Sequence, residues 1–252
     1  MIEVRGVTKR YGTTTVVDDV SLDVPDGGLV ALIGPNGAGK STLLSIMSRL
    51  LTADAGTVRV DGLDLSATRS DVLATRLAIL RQDAHVGSRL TVRDLVTFGR
   101  YPYSKGRYTV EDLGHVDRAL DHLELQPLAH RFLDELSGGQ RQRAFVAMVL
   151  CQDTPHVLLD EPLNNLDLRH AVGMMRMLRR AADELERTVV VVLHDINVAS
   201  CWADRIVAMK DGRVAYDGPP EDVVRPEVLS DVYDLDIEVH ELAGRRIGTY
   251  YR

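Results

Sequence analysis

Residues 34–42 read GPNGAGKST, with glycines at 34, 37 and 39 ahead of a lysine and two hydroxyls. Such a loop lets backbone N–H groups turn inward and approach an anion closely. An all-apolar run, 29–33, precedes it and a helical pattern follows, which is the context of a phosphate loop. The N-terminus of that helix adds roughly half a positive charge. Lys40 is expected on the β- and γ-phosphates of ATP, and the Ser41 hydroxyl on Mg²⁺. Gly34, Asn36, Gly37, Gly39 and Thr42 are expected around the same phosphates.

A second cluster is VLLDEP, residues 157–162, an apolar strand ending in two carboxylates. In a phosphate-loop protein a carboxylate at the end of a neighbouring strand is placed to hold the Mg²⁺ shell, and this is the role expected of Asp160. Glu161 follows it and is expected to orient and deprotonate the water that attacks the γ-phosphate. By itself an apolar run followed by Asp-Glu is also what a solvated strand end looks like.

A third cluster is LSGGQ, residues 136–140, ahead of another helical pattern through Phe145, Val146 and Val149. Ser137 with Gly138 and Gly139 makes a second anion-binding helix N-terminus. One nucleotide has no obvious need of two such cradles.

The elements that must position these residues are legible in outline. Strands are expected at 1–5, 16–24, 29–33, 57–60, 156–159 and 188–193, and a helix at 40–51. The middle, 91–150, carries helical spacing at Val92, Leu95, Val96, Val116, Leu120 and Leu123. Another helix lies before residue 188, with Met174, Met175, Leu178 and Leu185 facing inward. Residues 205–216 read as a hairpin turning at Lys210, Asp211 and Gly212. Strands alternating with helices argue for an α/β fold with a parallel sheet, and the helical middle reads as an insertion.

The bulk numbers bound the function. The chain has 252 residues, 45% of them hydrophobic, enough for one sizeable core. Thirty basic against 37 acidic residues give a net charge of -7, which disfavours nucleic acid as the partner. No stretch reaches the length of a membrane span or a signal peptide, so a soluble, cytoplasmic chain is expected. Cys151 and Cys201 have no metal spacing and read as reduced, packed thiols.

LSGGQ, with the phosphate loop upstream and DEP downstream, resembles the ATP-binding cassette family over the whole chain. The resemblance implies a P-loop NTPase fold with a mostly parallel core sheet, an antiparallel β-subdomain and an inserted α-helical subdomain. The expected boundaries are one domain, 1–252, with the insertion near 86–153 and a C-terminal hairpin and tail at 205–252. It implies that Gln82 reaches the metal and the attacking water, that His194 contacts the γ-phosphate, and that Tyr11 stacks on adenine. The segment Asn164, Asn165, Leu166 and Asp167 would cross to a partner subunit. Ser137, Gly138, Gly139 and Gln140 would close over the ATP bound by that partner, so that two ATP sites lie at a homodimer interface.

Within the family, four stretches resemble the ATPase subunits of iron–siderophore importers: SIMSRLL at 45–51, LTVRDLVTFGRYPYSKGR at 90–107, DEPLNNLD at 160–167 and HDINVASCWADRIVAMKDGRV at 194–214. Leu163 departs from the small polar residue most of the family carries there, a departure that several siderophore members share. The likeness implies two membrane-spanning permease subunits docking near Gln82 and the following helices, an extracytoplasmic siderophore-binding protein as indirect partner, and a peripheral place on the cytoplasmic face of the membrane. A soluble cassette ATPase, such as that of iron–sulfur cluster assembly, is the alternative. The stretch RYPYSKGRY, 100–108, reads as a solvated loop, a contact surface for a membrane subunit or, against the acidic charge, a nucleic-acid platform.

Overall fold

The computed structural model describes residues 1–82 and 89–250. It comprises two compact units, Met1–Thr68 with Thr188–Arg252, and Arg69–Arg187. The first begins with β1 (Ile2–Tyr11), β2 (Thr14–Val24), β3 (Gly28–Ile33), α1 (Lys40–Met47), β4 (Ala55–Val60) and β5 (Leu63–Asp64). The second holds α2 (Ser70–Leu73), β6 (Leu77–Leu80), α3 (Val92–Phe98), α4 (Tyr101–Ser104), α5 (Val110–His122), α6 (Gly138–Cys151), β7 (His156–Leu159) and α7 (Leu168–Glu184). The chain then returns to the first unit with β8 (Thr188–Val192), α8 (Ile196–Trp202), β9 (Arg205–Lys210), β10 (Arg213–Gly218), α9 (Pro220–Val223), α10 (Pro226–Tyr233), β11 (Glu238–Leu242) and β12 (Arg245–Thr249).

Two kinds of sheet in the first unit follow from two kinds of strand sequence. β2 alternates, burying Val17, Val20, Leu22 and Val24, and belongs to an antiparallel sheet ordered β2-β1-β4-β5. β3 and β8 read GLVALI and TVVVV and are buried along their length, as strands covered on both faces must be. They pair in parallel with each other, β3 also pairs in parallel with β9, and β10 closes the row antiparallel to β9. The β9–β10 turn is where the sequence puts it: Asp211 and Gly212 have φ of 49° and 78°, the left-handed pair a two-residue hairpin of this twist requires.

In the second unit β6 and β7 pair in parallel, Leu77 opposite His156 and Leu80 opposite Leu159. Helices α3, α5 and α6 pack through Val92, Leu95, Val96, Val116, Leu120, Phe145, Val146 and Val149, all buried. Capping boxes start all three, Thr91 with Asp94, Thr109 with Asp112 and Ser137 with Gln140. The boundary expected at residue 86 lies outside the described residues, and the compact unit is wider than the helical stretch, because it carries β6, β7 and α7 as well.

Two expectations change in detail. Met174, Met175 and Leu178 are buried, but Leu185 is the C-cap residue just past α7, outside the helix, and is 42% exposed. The stretch 100–108 is not simply a solvated loop: α4 occupies 101–104, and the Arg100 guanidinium is buried, donating to Asp112 at 3.0 Å and to the carbonyl of Cys151 at 3.1 Å. Both cysteines are free thiols, and burial pushes that of Cys151 up to about 12. No helix among the described residues is long and apolar enough to cross a membrane.

Candidate functional site

The expected site residues divide between the units. Tyr11, the loop 34–42 and His194 belong to the first; Gln82, residues 137–140, Asp160, Glu161 and Asp167 belong to the second.

The loop leaves β3 at Gly34, which has φ 138° and is so close to β9 that a Cβ there would lie 2.1 Å from the Met209 carbonyl oxygen. Gly39, at φ 94°, begins α1, and a Cβ on it would lie 2.5 Å from the carbonyl oxygen of Val16. Backbone on both sides thus excludes any side chain at these two positions. At Gly37, φ 83°, a Cβ would meet nothing within 4 Å among the described residues, so this is the open side of the cradle. The N-cap of α1 is Gly39, which has no side chain to cap it, and the N-terminal end of a helix attracts an anion. Lys40 is buried and its ammonium donates to the carbonyls of Gly34 and Pro35 at 2.7 and 2.9 Å, so the loop is folded around its own cation. Asn36 is exposed, and Ser41 and Thr42 are half-buried in the first turn of α1. Tyr11 ends β1 with its ring 53% exposed and the Lys9 ammonium 5.8 Å from its centre. His194 is exposed directly after β8, and the next residue, Asp195, caps α8 by accepting from the N–H groups of Asn197 and Val198.

In the second unit the parallel pairing of β6 with β7 brings their C-terminal ends together. Gln82, just past β6, donates from its Nε2 to Glu161, just past β7, at 2.6 Å. The Asn164 amide donates to the same carboxylate oxygen of Glu161. Glu161 holds φ 49°, a sparsely populated backbone for a residue with a side chain, and such strain concentrates at functional positions. Asp160 is 7% exposed, with its N–H on the Leu80 carbonyl. Of the expected Mg²⁺ ligands, Ser41 offers a hydroxyl in the first unit, and Asp160 and Gln82 a carboxylate and an amide carbonyl in the second; each is by type a hard oxygen donor of the kind Mg²⁺ takes.

At 137–140 Ser137 caps α6: its hydroxyl accepts the Gln140 N–H at 3.3 Å, and the Gln140 side chain accepts the Ser137 N–H at 3.0 Å. Gly138 is exposed and open. Gly139 is buried, and a Cβ there would come within 2.9 Å of the His170 ring. That ring is held by Asp167, which accepts from His170 Nδ1 at 2.7 Å and from its N–H at 2.9 Å. The backbone N–H of His170 foremost, with its ring, keeps the Asp167 carboxyl below the usual carboxylate range.

Three residues escaped the sequence reading. Asn164 was noted only as part of a crossing segment, although its position three residues after Glu161 is the usual reach of a side chain across a turn. His170, three residues after Asp167, follows the same spacing. Tyr233 accepts the Gly34 N–H on its hydroxyl at 3.1 Å across 199 residues of chain, and nothing local signals it.

Comparison with known proteins identifies the family. The ABC transporter family model matches residues 17–164. The petrobactin import ATP-binding protein YclP of Bacillus subtilis (strain 168) is 49% identical over 251 residues, covering 100% of both chains. FatE of Bacillus anthracis, also a petrobactin import ATP-binding protein, is 52% identical, over 95% of this chain and 96% of its own. Among solved structures, the ATP-binding cassette MJ0796, described as a dimer in a post-hydrolysis state bound to ADP and Pi, superposes with a TM-score of 0.78 at 29% identity, over 87% of this chain and 99% of that one. The chain therefore belongs to the ABC transporter family, as one of its ATP-hydrolysing, ATP-binding subunits.

Proposed function

We propose that this chain binds ATP·Mg²⁺ through the loop 34–42 and hydrolyses it with Glu161 as the general base, as the motor of an importer of an iron–siderophore complex. The observation that carries the catalytic part is the Glu161 carboxylate, held at a strained backbone position by two amide donors, Gln82 and Asn164. The same two amides can swing to the attacking water and the metal once nucleotide is present.

In this reading the backbone N–H groups at the start of α1 and the Lys40 ammonium take the phosphates, Tyr11 stacks on the adenine, and Asn36 and Thr42 of the loop lie around the phosphates. Ser41, Asp160 and Gln82 would hold Mg²⁺, which would supply positive charge against the charge that develops on the phosphates. Glu161 takes a proton from water, the hydroxyl oxygen bonds to the γ-phosphorus, and the bond to the β-phosphate oxygen breaks. His194 and Lys40 donate to the oxygens on which charge accumulates.

The chain works as a homodimer in this reading, with Ser137, Gly138, Gly139 and Gln140 of one copy over the ATP of the other. Leu168, directly after Asp167, is 82% exposed, and a second copy is the natural cover for it. Two permease subunits carry the membrane path, an extracytoplasmic siderophore-binding protein delivers cargo, and this chain sits peripherally on the cytoplasmic face. The names of YclP and FatE support petrobactin-type cargo.

The test of the catalytic assignment is Glu161→Gln. Turnover should fall about a hundred- to ten-thousandfold, the usual range for a lost general base, while ATP still binds. Turnover close to that of the unaltered protein would remove Glu161 from the reaction. The cargo is tested by uptake of radiolabelled iron–petrobactin into cells with and without this chain; equal uptake would set that cargo aside.

A further inference from the structure

The first N–H of the phosphate loop is buried where the chain leaves its sheet. At φ 138° Gly34 no longer follows strand geometry, and a buried N–H needs a partner. Its partner is the hydroxyl of Tyr233, the last residue of α10. The carbonyl of the same glycine takes the Lys40 ammonium at 2.7 Å. Gly34 is therefore gripped twice, on its N–H by a phenol and on its C=O by the lysine that nucleotide would draw away.

The segment that supplies Tyr233 is itself firmly seated. Val228, Leu229 and Val232 of α10 are buried, and Asp234 ends the helix at φ 53°. Lys210, at the end of β9, donates to the Asp231 carbonyl and, at 2.8 Å, to the Asp234 carboxylate. Further along, β12 is joined to α8, the helix that follows His194. Gly248 donates to the Asn197 side chain at 2.7 Å and accepts from it at 3.1 Å, and Ser200 donates to the Arg246 carbonyl at 2.6 Å. One C-terminal segment thus touches the entrance of the phosphate loop and the helix behind His194. It lies wholly beyond residue 164, where the family match ends.

We propose that Tyr233 is a positioning residue for ATP binding: its hydroxyl fixes the first peptide of the phosphate loop, so that the cradle keeps its shape when Lys40 leaves the Gly34 and Pro35 carbonyls for the phosphates. Tyr233 touches no nucleotide in this account and acts only through Gly34. Burial pushes its phenol well above the ordinary tyrosine range, so the hydroxyl stays neutral and the hold does not vary with physiological pH.

The test is Tyr233→Phe, which deletes one oxygen and keeps the ring. Binding of a fluorescent ATP analogue should weaken about three- to tenfold, the worth of one net hydrogen bond to a buried group. KM for ATP should rise by a similar factor with kcat nearly unchanged, since only ground-state and transition-state binding alike are lost. A folded variant with unaltered affinity, or one whose kcat falls at constant KM, overturns the proposal, whatever happens to its melting temperature. If Tyr233→Phe does not fold, amide exchange in the unaltered, nucleotide-free protein decides: strong protection of the Gly34 N–H agrees with the proposal, and exchange at the rate of an open loop contradicts it.

Discussion

Glu161 and Lys40 occupy opposite situations before nucleotide arrives. Glu161 has its carboxylate oxygen accepting from Gln82 and Asn164, and Lys40 is turned back onto the loop's own carbonyls. In the proposed function both sets of bonds are exchanged for bonds to a nucleotide and its water, which keeps the free site satisfied at little cost to binding. Removing the lysine leaves the backbone cradle but not its mobile cation. Lys40→Ala should therefore weaken ATP binding by about tenfold or more, the range of a charge-assisted bond, when binding is followed by calorimetry. Unchanged affinity would remove Lys40 from the phosphates. The loop that carries Lys40 was legible in the sequence because it is local: glycines, lysine and serine in one run, between an apolar strand and a helix. The bonds of Glu161 were half legible. Its neighbour Asn164 is close in the chain, whereas Gln82 reaches it only because β6 and β7 lie side by side, 79 residues apart in sequence.

At the scale of elements, the helical part of the second unit depends on a buried ion pair that also caps a helix. One Asp112 oxygen accepts from Arg100 at 3.0 Å, while the other accepts from the N–H and hydroxyl of Thr109 at the start of α5. Both side chains are more than nine-tenths covered. These bonds, the Thr109 backbone N–H first, hold the Asp112 carboxyl below its ordinary value. Because the folded pKa is depressed, the contribution is fully present above the unfolded pKa near 4 and is lost as pH falls through the folded value. Asp112→Asn should lower stability by about 3–5 kcal/mol at neutral pH, the cost of breaking a buried pair, and should flatten the loss of stability below about pH 4. Denaturant melts of both proteins at pH 7 and pH 3 measure this; equal stability at pH 7 would refute it. Helical periodicity made α3, α5 and α6 legible, and alternation did the same for β2. The pairing of Arg100 with Asp112 was not, since basic and aromatic residues in 100–108 look the same whether they face water or are drawn under a helix. Leu185 was misplaced for a related reason: periodicity continues in a sequence past the point where the helix ends.

At the scale of the whole molecule, the proposed function gives the chain two anion cradles, one at 34–42 and one at 137–140, and does not dedicate the second to its own phosphate loop. Gly138 is open and exposed, and Gly139 is kept free of a side chain by the His170 ring, which Asp167 holds in place. A cradle so maintained and left facing outward suits a nucleotide brought by a second copy. The division of the chain into two units was only partly foreshadowed: strands return after residue 150, but β7 still belongs to the second unit, and the chain rejoins the first at β8. The C-terminal segment was the least legible region. Its hairpin β11–β12 and helix α10 carry no signature residues, and their role depends on contacts with Gly34, Asn197 and Ser200 that only the folded chain creates.

The most direct test of a shared pocket is complementation between two inactive variants. Chains carrying Lys40→Ala and chains carrying Gly138→Asp are assembled with the permease separately and as a mixture, and phosphate release is measured. Each variant alone should be inactive. In a mixed pair, however, the Gly138→Asp chain offers an intact phosphate loop to the intact 137–140 segment of its partner, so one complete site forms and hydrolysis returns. If the mixture, verified to contain mixed pairs, stays as inactive as its components, the two cradles act within one chain and the account is wrong.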